Sequence, residues 1–239
     1  MIIFRRFCLV LLGAALSAPA WAVQSSNSTD GFVDSSSITR DVAVSILDFP
    51  GGNDRINSIC VAISFAKHNG ETFVDQGVVP PAGTPFHNEI EFVLTSPEGT
   101  SVTLISNNGG TEINADPVES FNSGSAPFYG TINFDQSAAN PVNVNPDQPS
   151  EGAFQPHPGD LDDFLFENAD GTWELFIEDD VGADGLSFHG VTLFLNEGCG
   201  TIVAPPATPV PTLGQWASFL LIFLMATGSA VYLRRRSLA

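Results

Sequence analysis

Short segments in which apolar and polar residues alternate recur through the middle of the chain. Alternation with a period of two is typical of half-buried β-strands, whereas an amphipathic helix repeats about every 3.6 residues. The alternating segments are residues 59–65, 90–94, 102–104, 172–178 and 191–195. Turns such as Pro97-Glu98-Gly99 and Asp170-Gly171 separate them. The pattern predicts an all-β fold, and several short strands joined by such turns favour a β-sandwich.

The stretches between and before these segments differ in composition. Residues 23–37 are rich in Ser, Asn and Asp, which predicts a flexible lead-in before a fold that begins at Ile38. Six prolines between residues 120 and 159 leave room for one short strand, near residues 128–134. The rest of that stretch is expected to be a long surface excursion.

Residues 1–22 have the layout of a secretory signal peptide. Arg5-Arg6 is followed by an apolar run from Phe7 to Leu16 and then by small residues that end at Ala22. We expect cleavage after Ala22, so that the exported chain begins at Val23. A short N-terminal membrane anchor is the alternative, but about ten apolar residues are too few to cross a hydrocarbon core of ~30 Å.

The other end of the chain carries a candidate membrane span. A proline-rich linker, residues 200–211, precedes residues 216–233, which contain no charge. That stretch is long enough to form a transmembrane helix. Arg234 to Arg236 follow it, and a basic cluster holds its side of a span in the cytoplasm. The body between the two hydrophobic segments is therefore expected to lie outside the inner membrane.

The residues just before the span form a motif, Val210-Pro211-Thr212-Leu213-Gly214-Gln215-Trp216. Together with the span and the arginines behind it, residues 210–236 resemble the IPTL-CTERM sorting signal of Gram-negative surface proteins. The resemblance implies processing at Pro211, Thr212 and Leu213 by an exosortase-type sorting enzyme. The inner-membrane-inserted precursor would then release its body to the cell surface or the medium. A plain transmembrane anchor is the alternative, since both share the same hydropathy.

Removing both ends leaves a strongly acidic body. Its 27 carboxylates stand against three basic residues, Arg40, Arg55 and Lys67, which gives a net charge of −24. Such a charge repels phosphate backbones, so nucleic acid is excluded as a partner. It also supplies many oxygen ligands for hard cations such as calcium.

Two acidic clusters are candidate calcium ligands. Calcium takes several oxygen ligands, and small turn residues let a loop wrap around it. The candidate ligands are Asp179, Asp180 and Asp184 in one cluster and Asp160, Asp162 and Asp163 in the other. Neither cluster has the spacing of an EF-hand, and the alternative for each is a solvated acidic turn.

Cys60 and Cys199 are the two cysteines of the exported body, because Cys8 lies in the signal peptide. Two cysteines in an oxidising compartment predict one disulfide. It would close a loop of about 140 residues and stabilise the fold by up to about 4 to 5 kcal/mol. Two buried free thiols are the alternative.

None of the histidines marks a catalytic site. His68, His87 and His157 lie in predicted loops, where solvent-facing side chains are expected. Ser187, which precedes His189 by two residues, lacks the Gly-x-Ser-x-Gly context of a nucleophile elbow. A glycosidase needs two carboxylates at a set distance across a cleft, which a sequence does not supply. We predict no catalytic residues, and an enzyme is the alternative.

Taken in order, the segments of the body resemble the P domain, also called P/Homo B, of proprotein convertases and kexin-like subtilases. The matching stretches are residues 46–52, 56–63, 90–100, 171–175, 178–179, 184–186 and 191–193. The most specific are the hairpin that begins Ile90-Glu91-Phe92 and the combination Gly171-Thr172-Trp173. Trp173 shares a strand face with Leu175 and Ile177, which predicts that it packs in the core.

The resemblance implies a jelly-roll β-sandwich of the galactose-binding-like kind over residues 38–199. In the family this domain usually follows a subtilisin-like catalytic domain, so it is associated with serine-type endopeptidases and proteolysis. Only about 200 residues separate the two export segments here, too few for both. We therefore expect an exported cell-surface protein that acts as a non-catalytic binding, stabilising or adhesion module. Its expected partner is a surface protein, a protease or a polysaccharide. The alternative is part of a subtilisin/kexin-like serine endopeptidase system that supports proteolysis in trans.

Overall fold

The structure is a computed structural model that describes residues 23–49, 51–107, 121, 126–144 and 149–199. These residues belong to a unit that ends at Cys199. The strands in them are β1 (Val23–Asn27), β2 (Gly31–Val33), β3 (Ser36–Val44), β4 (Ile59–Lys67), β5 (Ile90–Thr95), β6 (Ser101–Ile105), β7 (Phe128–Asp135), β8 (Gly152–Phe154), β9 (Gly171–Asp179) and β10 (Leu186–Leu195). Short 3-10 helices lie at Ile46–Asp48, His87–Glu89, Val142–Val144 and Leu161–Phe164. The predicted all-β fold is thereby confirmed.

The strands form two sheets. One sheet has the order β1-β10-β4-β7-β8, and β2 also pairs with β10; we call it the six-stranded sheet. The other, the four-stranded sheet, has the order β3-β9-β5-β6. All pairings are antiparallel except that of β7 with the short β8. β8 lies at the edge of the six-stranded sheet. Residues 136–151 connect it to β7, beside which it runs in parallel.

One apolar core joins the inner faces of the two sheets. Phe65 of the six-stranded sheet meets Phe92 of the four-stranded sheet edge to face, with ring centroids 5.1 Å apart. Trp173 of β9 is fully buried, packs on Phe164 at 5.1 Å and donates its indole N–H to the carbonyl of Ala169 at 3.0 Å. The prediction that Trp173 lies in the core is confirmed.

The fold begins earlier than the sequence predicts. Residues 23–37, expected to be a flexible lead-in, instead form β1 and β2 and start β3. Their polar side chains bond to the neighbouring backbone: Ser25 donates to the carbonyl of Ala43 and Asn27 donates to that of Asp41 at 2.7 Å. Low hydrophobicity concealed these strands because only Val23 and Val33 enter the core, and most of their other residues are held by pairing with β10 and by such hydrogen bonds.

A long connection lies over the outer face of the six-stranded sheet. We call it the covering loop, residues 68–86, which leads from β4 to the 3-10 helix at His87–Glu89. The Val74 N–H donates to Ser187 Oγ at 2.9 Å, and the Gly77 N–H donates to the Tyr129 hydroxyl. The ring of Phe73 packs edge-on against His189 at 5.5 Å. These contacts hold the loop against β10 and β7.

The hairpin and the late strands agree with the alternating pattern, since β5, β6, β9 and β10 contain the segments that predict them. The strand expected near residues 128–134 is β7, and β8 is a second strand in the same proline-rich stretch.

Among the described residues, the structure contains no apolar helix of membrane-spanning length. The predicted signal peptide, with Ala22, and the predicted span 216–233 lie outside the described residues.

Candidate functional site

A buried ion cluster lies where β4 ends. The core-facing row Ile59, Val61, Ile63 and Phe65 continues at Lys67, so strand alternation points a cationic side chain inward. The Lys67 ammonium donates to Glu89 Oε2 at 2.9 Å and to Asp179 Oδ2 at 2.8 Å. It also donates to the backbone carbonyl of Asp184. The cluster therefore joins β4 and β9 to the 3-10 helix His87–Glu89, which supplies Glu89, and to the turn between β9 and β10, which supplies Asp184.

Two carboxylates share the single ammonium in this cluster. Burial raises the pKa of Asp179 to about 8, in spite of the opposing attraction of Lys67. Burial also raises the pKa of Glu89. Since one positive charge cannot balance two buried negative charges, a proton on one of the carboxyl groups lowers the cost of burying the cluster.

Two of the predicted calcium ligands are thus committed to protein partners through their carboxylates. Asp179 contacts Lys67, and the Asp184 carboxylate accepts the N–H of Phe86 at 3.0 Å. Asp180 is held through its backbone, since its N–H donates to the carbonyl of Glu89 at 3.2 Å. The Lys67 ammonium lies where a cation beside Asp179 would otherwise be placed. This donor set suits an ammonium better than calcium, which needs at least six oxygen ligands.

The other predicted cluster lies apart from the first, in the 3-10 helix Leu161–Phe164. Asp160 caps this helix by accepting the Asp162 N–H at 2.9 Å, and Asp162 and Asp163 are exposed. Within the ranges that the structure describes, no three His, Cys, Asp or Glu side chains are grouped to hold a metal ion. Calcium binding by either cluster remains a prediction.

Ser187 and His68 form a pair with the chemical composition of a nucleophile and its base. His68 Nε2 lies 3.2 Å from Ser187 Oγ, which also accepts the Val74 N–H. Both side chains are fully buried beneath the covering loop, and burial lowers the pKa of His68. His68 Nδ1 has no hydrogen-bond partner among the described residues, so no carboxylate orients the ring as in a catalytic triad. The arrangement fixes the loop and is closed to a substrate.

Two of the histidines expected to face solvent are instead buried. His68 and His87 are both fully buried. His87 Nε2 lies 3.0 Å from the carbonyl of Ala126, and burial lowers its pKa to about 4. The prediction of solvent-facing side chains was wrong for these two histidines, because the covering loop that begins at His68 and the 3-10 helix that begins at His87 are both packed against the fold.

The predicted disulfide is present between Cys60 in β4 and Cys199 after β10, with Cα atoms 5.4 Å apart. Cys60 packs with Ala62 and Phe194 on the outer face of the six-stranded sheet. Beside it, a cleft of about 310 Å³ is lined in part by Asp135, Asp162 and Glu197. Among the predicted calcium ligands, Asp162 is the one that borders this cleft.

A smaller pocket opens on the same outer face, between the covering loop and β8. Its volume is about 90 Å³. The polar side chains that line it are those of Ser64, Gln76, Tyr129, Thr131, Glu151 and His189. We call it the His189 pocket. No pattern in the sequence indicates this pocket, because its residues come from β4, β7, β10 and two loops. The predicted processing residues Pro211, Thr212 and Leu213 lie outside the described residues.

No protein-family model matches this chain, and no curated protein matches it. Among solved structures that match is the crystal structure of serine protease of Aeromonas sobria, with 12% sequence identity and a TM-score of 0.29. The alignment covers 73% of this chain and 27% of that one. This chain therefore spans about a quarter of the length of that protein.

Proposed function

We propose that this protein is an exported, cell-surface P/Homo B-type jelly-roll protein that acts as a non-catalytic binding or adhesion module. The motif order through residues 38–199 supports the family, and a two-sheet all-β body is compatible with its jelly roll. The layout of residues 1–22 and the motif at residues 210–216 support export and surface sorting.

The closed Ser187–His68 pair is the observation that carries the non-catalytic part of the proposal. A nucleophile must reach its substrate, and here both side chains are buried and bonded to the covering loop. Three buried ionisable side chains are paired with one another, since Lys67 contacts both Glu89 and Asp179 in the interior. The Ser187–His68 pair and the ion cluster therefore stabilise the fold, and we expect partners to bind at the surface.

The character of that surface narrows the class of partner. Lys67 is buried, so among the residues that the structure describes the basic side chains left near the surface are those of Arg40 and Arg55. Arg40 donates to the carbonyls of Thr29 at 3.0 Å and Asp30 at 2.7 Å, and Arg55 lies over the ring of Phe166 at 5.1 Å. The acidic exterior repels anionic polymers and favours neutral glycans or basic protein surfaces.

The experiment uses the protein purified from the envelope of its own host. Incubation with a fluorophosphonate probe and with casein is expected to give neither labelling nor cleavage. In parallel, a strain that lacks the gene is expected to attach less to surfaces and to its neighbours, and the complemented strain is expected to recover. Labelling that is abolished by Ser187→Ala would overturn the non-catalytic proposal. Unchanged attachment together with reduced subtilase activity in the medium would favour a role in proteolysis instead.

A further inference from the structure

The central side chain of the His189 pocket lies at an irregularity in β10. Phe188 pairs with Phe65 and Gly190 pairs with Ser64, so His189 is an extra residue opposite two consecutive residues of β4. Phe188 and Val191 both belong to the core, so His189 and Gly190 lie together between them, His189 faces outward, and the alternation resumes one residue later.

The His189 ring is held in place but lacks a complete set of hydrogen bonds. Its side chain is 1% exposed, Nδ1 lies 3.5 Å from Oδ1 of Asp30, and Phe73 and Tyr129 pack against the ring with centroids 5.5 and 6.1 Å away. Neither ring nitrogen has a hydrogen-bond partner within the described part of the chain. Leaving a buried polar atom unpaired costs about 1 to 3 kcal/mol, which a ligand that supplied the missing partner would recover.

The other walls of the pocket supply both donors and acceptors. Ser64 Oγ and Thr131 Oγ1 are 2.6 Å apart, so one hydroxyl donates to the other and one proton remains available. The Tyr129 oxygen accepts the Gly77 N–H, which leaves its own O–H to donate. Glu151 accepts the Thr131 N–H at 3.4 Å and has further acceptor capacity.

This mixture points to one class of ligand. Neighbouring hydroxyl groups both donate and accept, as the walls require, and the Tyr129 ring gives an apolar surface beside them. No basic side chain lines the pocket and Glu151 would repel an anion, whereas a metal ion would leave the hydroxyl donors unused. The volume of about 90 Å³ is several times the ~10 to 15 Å³ that one water needs, so the pocket has room for the edge of a sugar ring.

We propose that the His189 pocket binds a sugar through adjacent hydroxyl groups, with His189 and Glu151 as acceptors and Tyr129 as a donor. This inference rests on the proposed function, because it names the class of partner for the binding module. A pocket of this size takes one sugar of a longer chain, and affinity for a free monosaccharide is expected to be weak, with a Kd on the order of 1 mM.

The test is an NMR titration of the envelope-purified protein with glucose, galactose, mannose and N-acetylglucosamine, each taken to about 50 mM, enough to fill a site with a Kd on the order of 1 mM. At least one sugar is expected to shift the ring resonances of His189 and Tyr129. Glu151→Gln is expected to weaken that sugar about tenfold or more, the effect of losing a hydrogen bond to a charged group. Glu197→Gln, which alters the other cleft, is the matched control and should leave the affinity unchanged.

Gly130→Ala provides a second variant that keeps the charge of Glu151. A Cβ at residue 130 would lie 2.4 Å from Cγ of Glu151, so the carboxylate must move out of place. The same loss of affinity is expected, in a protein whose circular dichroism matches the wild type. Absence of any shift with all four sugars, equal affinity in Glu151→Gln, or His189 shifts caused by Zn²⁺ but by none of the sugars would each overturn the inference. Those outcomes leave the attachment assay of the gene-deletion strain to decide the proposed function separately.

Discussion

Nζ of Lys67 lies 2.8 Å from Oδ2 of Asp179, and neither side chain is exposed to solvent. Removing one partner of such a pair leaves an uncompensated buried charge, which typically costs about 3 to 5 kcal/mol. Lys67→Met is expected to lower the free energy of unfolding by that amount in urea denaturation. Arg55→Met is the matched control, since Arg55 is exposed and its loss should cost less than about 1 kcal/mol. Equal losses in the two variants would contradict a structural role for the cluster.

The raised pKa of Asp179, about 8 because of burial, predicts a pH dependence of stability. An aspartate in an unfolded chain titrates near ~3.9. Between these values the folded protein holds a proton that the unfolded chain has released, so the free energy of unfolding falls as pH rises. Asp179→Asn keeps the shape and removes this titration. From about pH 5 to about pH 7 the wild type should lose up to about 1.4 kcal/mol per pH unit relative to the variant. Parallel pH profiles of the urea midpoint would show that Asp179 is ionised throughout.

Trp173 offers a test of the core. Its side chain is fully buried and contacts Phe164, so Trp173→Ala should lower the free energy of unfolding by about 3 to 5 kcal/mol. Leu47→Ala is the control, because Leu47 is 90% exposed and its truncation should change stability by less than about 0.5 kcal/mol. Thermal or urea unfolding of both variants gives the comparison. A wild-type-like midpoint for Trp173→Ala would remove this residue from the core.

The bond between Cys60 and Cys199 spans a sequence separation of 139 residues. Replacing both cysteines with serine should lower the free energy of unfolding by about 2 to 5 kcal/mol, since the unfolded chain regains the freedom that the cross-link removes. Peptide mapping without reductant should recover the two cysteines in one linked pair. Alkylation of both thiols in the native, non-reduced protein would refute the link.

Processing of the tail can be separated from plain anchoring by one triple variant. Changing Pro211, Thr212 and Leu213 together to Ala leaves the apolar stretch 216–233 intact. A sorted substrate should then accumulate uncleaved in the inner membrane, whereas a plain anchor should behave like the wild type. Fractionation and intact mass of both forms provide the measurement. Wild-type protein that keeps residues 234–239 in a strain expressing its sorting enzyme would support the anchor.

Strand positions followed from alternation wherever one face of a strand is apolar and the other polar. The rows of β5 and β9 are examples, since Phe92 and Leu94 or Leu175 and Ile177 face the core while their neighbours do not. Alternation did not indicate β1, because only Val23 of this strand enters the core, while Ser25 and Asn27 bond to the backbone of β3. Local hydrophobicity does not encode such edge hydrogen bonds.

The buried ion cluster and the His189 pocket were not predicted from the sequence. Lys67 continues a core-facing row, but its partners Glu89 and Asp179 come from 22 and 112 residues further along the chain. The His189 pocket likewise brings together residues from three strands and two loops, which no local pattern relates. The disulfide was predictable because the number of cysteines and the expected oxidising compartment, rather than a distance, indicated the pairing.

The position of the disulfide also determines how the sheet carries mechanical load. Cys199 follows β10 directly, and Cys60 lies near the start of β4, which is hydrogen-bonded to β10 from Leu195↔Ile59 to Leu186↔Lys67. A pull applied at Cys199 therefore enters β4 and β10 together, through the sulfur bridge and through the main chain. β10 cannot then be peeled away from β4 alone, because the bridge pulls both strands from the same end. A body tethered from its C-terminal side would thus pass the drag of flowing liquid to two central strands rather than to one.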